Sequence, residues 1–195
     1  MEDELARKYT KKLIQETFME MLNERKLNKI TVKDIAVACD INRNTFYYYY
    51  SDIYEVLTEL FQMQIEKVVE EYNDSRSWEE SFLVATQFIL DNKVAIYHIH
   101  NSLRRVELEN YIYDISGKVM SSYVETISLD TKATDNDKKL IARFYKCALT
   151  EMVMRWIDEG LKDDPVKVIT RIGELFDGNI LMSLERSAKL NEKID

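Results

Sequence analysis

The chain has 195 residues, 46% of them hydrophobic, enough for one or two domains with a buried core. Only 4 Gly and 1 Pro leave little material for tight hairpins or linkers, which argues for long helices and against all-β or doubly wound α/β folds. The longest apolar runs, such as Phe82 to Ala85, fall far short of the roughly 20 residues of a membrane span. The first twelve residues lack the apolar stretch of a secretory signal, so a cytoplasmic protein without a membrane partner is expected. Cys39 and Cys147 each lie within an apolar helical pattern, and buried free thiols are expected at both.

A net charge of −8 disfavours nucleic acid at first sight, since phosphate binding rests on clustered Lys and Arg. The distribution is uneven. Residues 5–50 carry nine basic and five acidic side chains, a balance of +4, whereas residues 51–195 carry −9. A basic head on an acidic body is what a DNA-meeting end produces, although a solvated face accounts for the same count.

In chain order, Leu13, Ile14, Phe18, Met21 and Leu22 recur at helical spacing and predict a first amphipathic helix over Glu4 to Asn23. Thr31 and Asp34 form a capping box for a short helix, Val32 to Cys39. Asp40 to Asn42 makes a turn, and Asn42 caps a third helix, Arg43 to Tyr49, with Phe46 and Tyr50 on one side. Ser51 and Asp52 cap a long helix running to about Tyr72, and the polar stretch 73–77 interrupts the pattern. Further helices are predicted from Trp78 to about Leu90, from Val94 to Ile99, and from Leu103 to Ile127, followed by a polar loop from Leu129 to Asn136.

The last two predicted helices, Asp137 to Glu159 and Pro165 to about Leu184, carry apolar residues around more than half of their circumference. Such helices are central to one domain or shared between a core and a partner. Gly173 and Gly178 inside the last one permit either close backbone contact or a kink or helix end. The fold class is thus all-α, with about nine helices.

Thr31 to Tyr49 reads as helix, tight turn and short helix. The third helix presents Arg43, Asn44, Thr45, Tyr47, Tyr48 and Tyr49, side chains able to donate to base edges or phosphates. For an isolated run of tyrosines an aromatic core is the competing reading; the helix-turn-helix frame favours DNA contact. The segment ITVKDIAVACDINRNTFYYYYSDIYEVL resembles the DNA-binding region of tetracycline-repressor-type (TetR/AcrR) transcriptional regulators, through Thr31, Val32, Ile35, Ala36, Thr45, Phe46, Tyr47 and Leu57. Asp40 replaces the usual turn glycine, Tyr50 a phenylalanine, and Ile53 a lysine that touches phosphate in many members. The region ending at Trp156 resembles the C-terminal part of a subgroup common in Gram-positive bacteria.

The resemblance implies a DNA-binding domain over residues 1–51 and an effector-binding and dimerisation domain over 52–195. It implies that Thr31, Lys33 and Tyr47 hold phosphates and that Arg43, Asn44, Thr45, Tyr48 and Tyr49 lie near base edges. Lys8, Lys11 and Lys12 either add phosphate contacts or form a solvated face. Effector-pocket candidates are Tyr97, His98, Tyr111, Phe144, Tyr145 and Met152, with His100 and Tyr113 in the same pool; plain core is the competing reading for each. Dimer-interface candidates are Trp156, Ile172, Phe176 and Ile180 in the last two helices, which would form a four-helix interface with a second copy.

Catalytic machinery is absent from the sequence: there is no Glu-x-x-His, G-x-S-x-G, phosphate-binding glycine loop or C-x-x-C. Two histidines two residues apart cannot complete a zinc site, and no metal or other cofactor is expected. The expectation is a homodimeric repressor on a palindromic DNA operator, released by a small-molecule effector. A protein-binding co-activator or adaptor of the same fold, without such an effector, stands as the alternative.

Overall fold

The computed structural model describes residues 2–72, 77–176 and 178–191. Among these are ten α-helices and no strand: α1 Glu2–Glu24, α2 Val32–Ala38, α3 Arg43–Tyr49, α4 Ile53–Tyr72, α5 Trp78–Asp91, α6 Lys93–His100, α7 Arg105–Ser128, α8 Asp135–Asp158, α9 Pro165–Phe176 and α10 Asn179–Asn191. The all-α expectation holds. Most of the predicted break at 73–77 lies outside the described residues. None of the described helices is long and apolar enough to cross a membrane.

The helices pack as two units, one formed by residues up to Gln64 together with Asp91–Leu108, the other by Ile65–Leu90 together with Glu109 onward. In the first unit Ile14, Phe18, Leu22, Leu27, Ile35, Phe46 and Leu57 are buried completely or nearly so. Leu27, on a 3-10 turn over Leu27–Lys29, is part of this core. Helix α6 lies against α1. The His98 imidazole Nδ1 sits 2.7 Å from the Leu22 carbonyl oxygen, and the Ala95 N–H donates to the Asn23 side chain at 3.3 Å.

Local chemistry sets the helix-turn-helix. The Thr31 N–H and hydroxyl donate to the Asp34 carboxylate at 2.9 and 2.7 Å, and the Asp34 N–H donates back to Thr31 Oγ1 at 3.2 Å. These hydrogen bonds hold the Asp34 carboxyl below its ordinary pKa. Helix α2 ends in a Schellman motif: Ile41 N–H to Ala36 O at 2.9 Å and Asp40 N–H to Val37 O at 3.2 Å. The motif requires a left-handed residue, and Asp40 supplies it at φ +52°, a conformation that Asp tolerates better than most non-glycine residues. Asn42 then caps α3 through the Asn44 N–H at 2.9 Å.

In the second unit, α8 closes with the same motif. Gly160, at φ +82°, donates to Ile157 O at 3.0 Å, and Leu161 to Trp156 O at 2.9 Å. The start of α8 is tied to α10, because the Ser187 hydroxyl donates to Asp137 at 2.6 Å and accepts from the Thr134 N–H at 3.3 Å.

Three expectations are corrected. The single closing helix is two, since Gly178 at φ +69° leaves the helical conformation after Phe176. Gly173 has the other role: a Cβ there would lie 2.5 Å from Glu79 Oε1 and 3.0 Å from Glu79 Cγ, so its bare backbone admits the α5 side chain. Cys147 is exposed and only Cys39 is buried, where its thiol donates to Thr17 Oγ1 at 3.3 Å. Leu103, expected inside α7, is fully exposed, and the helix begins two residues later.

Because Asp40 carries a Cβ in a left-handed turn, Asp40→Gly should leave stability unchanged or raise it slightly. Asp40→Val should lower it by about 1–2 kcal/mol, measured by urea denaturation.

Candidate functional site

Helix α3 is held by its inner side. Phe46 is fully buried and Tyr50 nearly so, and their rings meet at 5.8 Å. The Tyr50 hydroxyl donates to Glu59 of α4, and the Gln15 amide of α1 donates to Tyr50 Oη at 3.0 Å and to Glu59 Oε2 at 3.1 Å. The Lys11 ammonium completes the set on Glu59 Oε1. One carboxylate therefore joins α1, the end of α3 and α4. Burial works against ionisation of Glu59, but the hydrogen bonds from Lys11 and Tyr50 outweigh it and hold its carboxyl below the usual value. Burial and the neighbouring carboxylate push the Tyr50 hydroxyl well above the usual tyrosine range.

With Phe46 and Tyr50 turned inward, Arg43, Asn44, Tyr47 and Tyr48 are exposed, and Thr45 and Tyr49 are half-buried. Tyr48 and Tyr49 stack edge-on at 5.0 Å, and Tyr47 meets the Phe46 ring at 5.8 Å. Thr31 and Lys33 are exposed at the start of α2. The Thr31 hydroxyl proton is already directed to Asp34, which leaves Lys33 as an exposed cation at that end.

The basic side chains of α1 divide. Lys11 is committed to Glu59, and Lys12 pairs with Glu16 at 3.6 Å. Arg7, which sequence reasoning did not single out for contact, lies with its guanidinium 5.5 Å from the Tyr48 ring centroid. Its spacing of four from Lys11 and eight from Gln15 was the available signal. Ile53, standing where a phosphate-binding lysine was expected, is buried and packs instead.

The expected effector residues do not converge. Tyr97 and His98 are in the first unit, Tyr97 being 56% exposed and His98 turned to the Leu22 carbonyl. Phe144 is 69% exposed on α8, with Tyr145 half-buried beside it. Met152 lines a cavity of about 260 Å³ in the second unit, between α5, α8 and α9, with Phe82, Leu149, Trp156, Ile169 and Ile172. Tyr111 is buried in a small adjoining recess that shares Phe82, Thr86 and Val153 with that cavity. Burial raises its hydroxyl pKa. The Ser116 hydroxyl, also in the recess, is fully buried without a hydrogen-bond partner among the described residues.

Of the expected dimer residues, Trp156 is half-buried and donates its indole N–H to the Asp163 carbonyl at 2.9 Å. Ile172 is half-buried and lines the cavity. Phe176 is exposed, and Ile180 is turned into its own unit at 6% exposure. Besides Phe176, uncovered apolar side chains lie at Leu140 and Phe144 of α8, Leu175 of α9, and Leu181 and Met182 of α10. Among the described residues no group of three or more His, Cys, Asp or Glu could hold a metal ion.

Residues 76–178, just over half of the chain, match the TetR-type family model described as a transcriptional regulator C-terminal region. The chain belongs to the tetracycline-repressor-type family of transcriptional regulators. A curated relative, the HTH-type dhaKLM operon transcriptional activator DhaS of Lactococcus lactis subsp. lactis, is 25% identical over 85 residues, 44% of this chain and 46% of that protein. The match thus spans about half the length of the curated relative. Among solved structures, a dihydroxyacetone kinase operon activator DhaS is similar in fold, with a TM-score of 0.71, 20% identity, and 92% and 98% of the two chains covered. A fatty acid degradation regulator FadR from Bacillus halodurans has a TM-score of 0.60 at 18% identity, with 85% and 93% covered.

Replacing Glu59 by Gln should destabilise this regulator by about 1–3 kcal/mol in denaturant titrations, through loss of charge-assisted hydrogen bonds. A carboxyl held below its ordinary pKa of 4.5 adds stability that is fully present above that pH and is lost as the pH falls through its depressed value. The acid limb of the wild-type stability curve should therefore be shallower in Glu59→Gln.

Proposed function

We propose that the protein is a homodimeric DNA-binding regulator that reads a near-palindromic operator in the cytoplasm with α3. The observation that carries this reading is the inward anchoring of Phe46 and Tyr50, which leaves Arg43, Asn44, Tyr47 and Tyr48 on one exposed surface with Lys33 at the start of α2. Residues 1–51 form the DNA-reading part and residues 52–195 carry dimerisation and effector binding. Arg43 suits a bidentate contact to guanine, with Asn44, Thr45, Tyr48 and Tyr49 close to base edges. Lys33, Tyr47 and Arg7 suit phosphates, while the Thr31 hydroxyl is committed to the Asp34 cap.

The uncovered apolar side chains of α8 and α10, Leu140, Phe144 and Leu181, support a second copy as the partner. A two-fold dimer on a palindrome reads half-sites about 34–36 Å apart, one α3 helix to each. The cavity beside Met152 is the site proposed for a small apolar effector, its binding favouring one spacing of the two reading helices over another. Repression is the sign carried by the family resemblance. Activation is the second reading, favoured by the Lactococcus lactis relative, which is a transcriptional activator. Transcription from a promoter bearing the site falls in the first case and rises in the second.

Purified protein should bind a palindrome from the region upstream of its own coding sequence, with an affinity that drops steeply as salt rises; absence of binding even at low salt overturns the reading. Arg43→Ala should cost about 1–3 kcal/mol of discrimination between operator and a mismatched site, while Lys33→Ala should weaken all sequences alike. Equal losses on both sites for Arg43→Ala would remove its base-reading role. Phe144→Asp should give a folded monomer by light scattering; a dimer that survives this change pairs through another face.

A further inference from the structure

In the acidic body, Arg155 with Glu151, Arg171 with Glu174 and Lys138 with Asp135 form ion pairs at 2.9, 2.8 and 4.0 Å. One groove gathers several cations on a single surface. An open groove of about 780 Å³ in the second unit, between α7 and α8, is lined by Lys118, Lys139, Arg143 and Lys146 against a single carboxylate, Asp114. None of the four cations has a carboxylate within ion-pair distance among the described residues.

Four like charges on one concave surface repel each other, a cost that a bound anion would reverse. The groove also holds one cation in position. The Lys146 ammonium sits 3.3 Å from the Tyr113 ring centroid, and its stem lies over Gly117, where a Cβ would come within 2.8 Å of it. The bare glycine and the aromatic face thus set the lysine in place without a counter-ion. Arg143 adds a planar fork suited to paired oxygens, and the Ser121 and Ser122 hydroxyls on the same wall are further donors.

We propose that this groove is a binding site for a small, multiply charged anion, a phosphate ester or a polycarboxylate, separate from the apolar cavity beside Met152 and independent of the DNA-binding reading. Arg143 and Lys146 are its principal contacts.

Calorimetric titration of the full-length protein with inorganic pyrophosphate, against sodium chloride at equal ionic strength, tests it directly. Saturable binding of one pyrophosphate per chain is expected, weakened at least about tenfold in the double variant Arg143→Gln with Lys146→Gln. Lys162→Gln with Lys167→Gln, which removes two cations outside the groove, should bind as wild type. Tyr113→Leu changes no charge and should weaken binding several-fold by freeing Lys146. Lys118→Gln provides a milder second variant should the double change impair folding, which thermal denaturation without ligand reveals. A parallel citrate titration separates the two sources: preference for pyrophosphate marks a phosphate ester, and preference for citrate a polycarboxylate. No binding of either anion beyond the chloride control, or undiminished binding by the groove variants, overturns the proposal.

Discussion

The head of the molecule depends on one carboxylate. Glu59 receives the Tyr50 hydroxyl, the Gln15 amide and the Lys11 ammonium, and so connects α1, the C-terminal end of α3 and α4 at one point. A helix of seven residues is too short to be stable alone. Its orientation comes from the buried Phe46 ring and from Tyr50, whose hydroxyl must be satisfied where water is excluded. Which face of α3 meets solvent is decided by this anchoring. The phenylalanine usual at position 50 in the family pattern cannot reach a carboxylate, so the polar node belongs to this sequence's own solution.

Much of the head was legible because its signals are local. The Thr31 and Asp34 pair, the Asn42 cap and the position of the turn involve residues within four of each other, and periodicity places Ile14, Phe18 and Leu22 inward. Asp40 in place of glycine is readable as a turn residue, although its left-handed backbone becomes evident only once the Schellman hydrogen bonds are seen. The commitment of Lys11 to Glu59, 48 residues away, has no local signature, and it gives Lys11 a structural role where the sequence left a phosphate contact or a solvated face open.

In the second unit, spacing identified helices but not what covers them. Phe144 and Met152 stand eight apart on α8, yet one faces solvent and the other a cavity. Apolar periodicity measures only the width of a hydrophobic face, and the faces of α8 and α10 exceed what their own unit buries. Likewise, nothing local joins Val94 to Ile99 to the head, since that packing is a contact across more than seventy residues. Gly173 and Gly178 are five apart and chemically identical, and they do different work because one meets Glu79 while the other ends a helix.

Charge follows the same logic of local surplus within a global balance. The net −8 of the chain conceals a basic head and a basic groove, and each is meaningful only by contrast with its surroundings. The central claim is that the surface from Thr31 to Tyr49 is where nucleic acid binds. Hydrogen–deuterium exchange of the full-length protein, with and without a duplex selected from a random library, tests it most directly. Slowed exchange at residues 31–34 and 43–49 is the expected result. Protection confined to α7 to α10, with residues 31–49 unchanged, would contradict it.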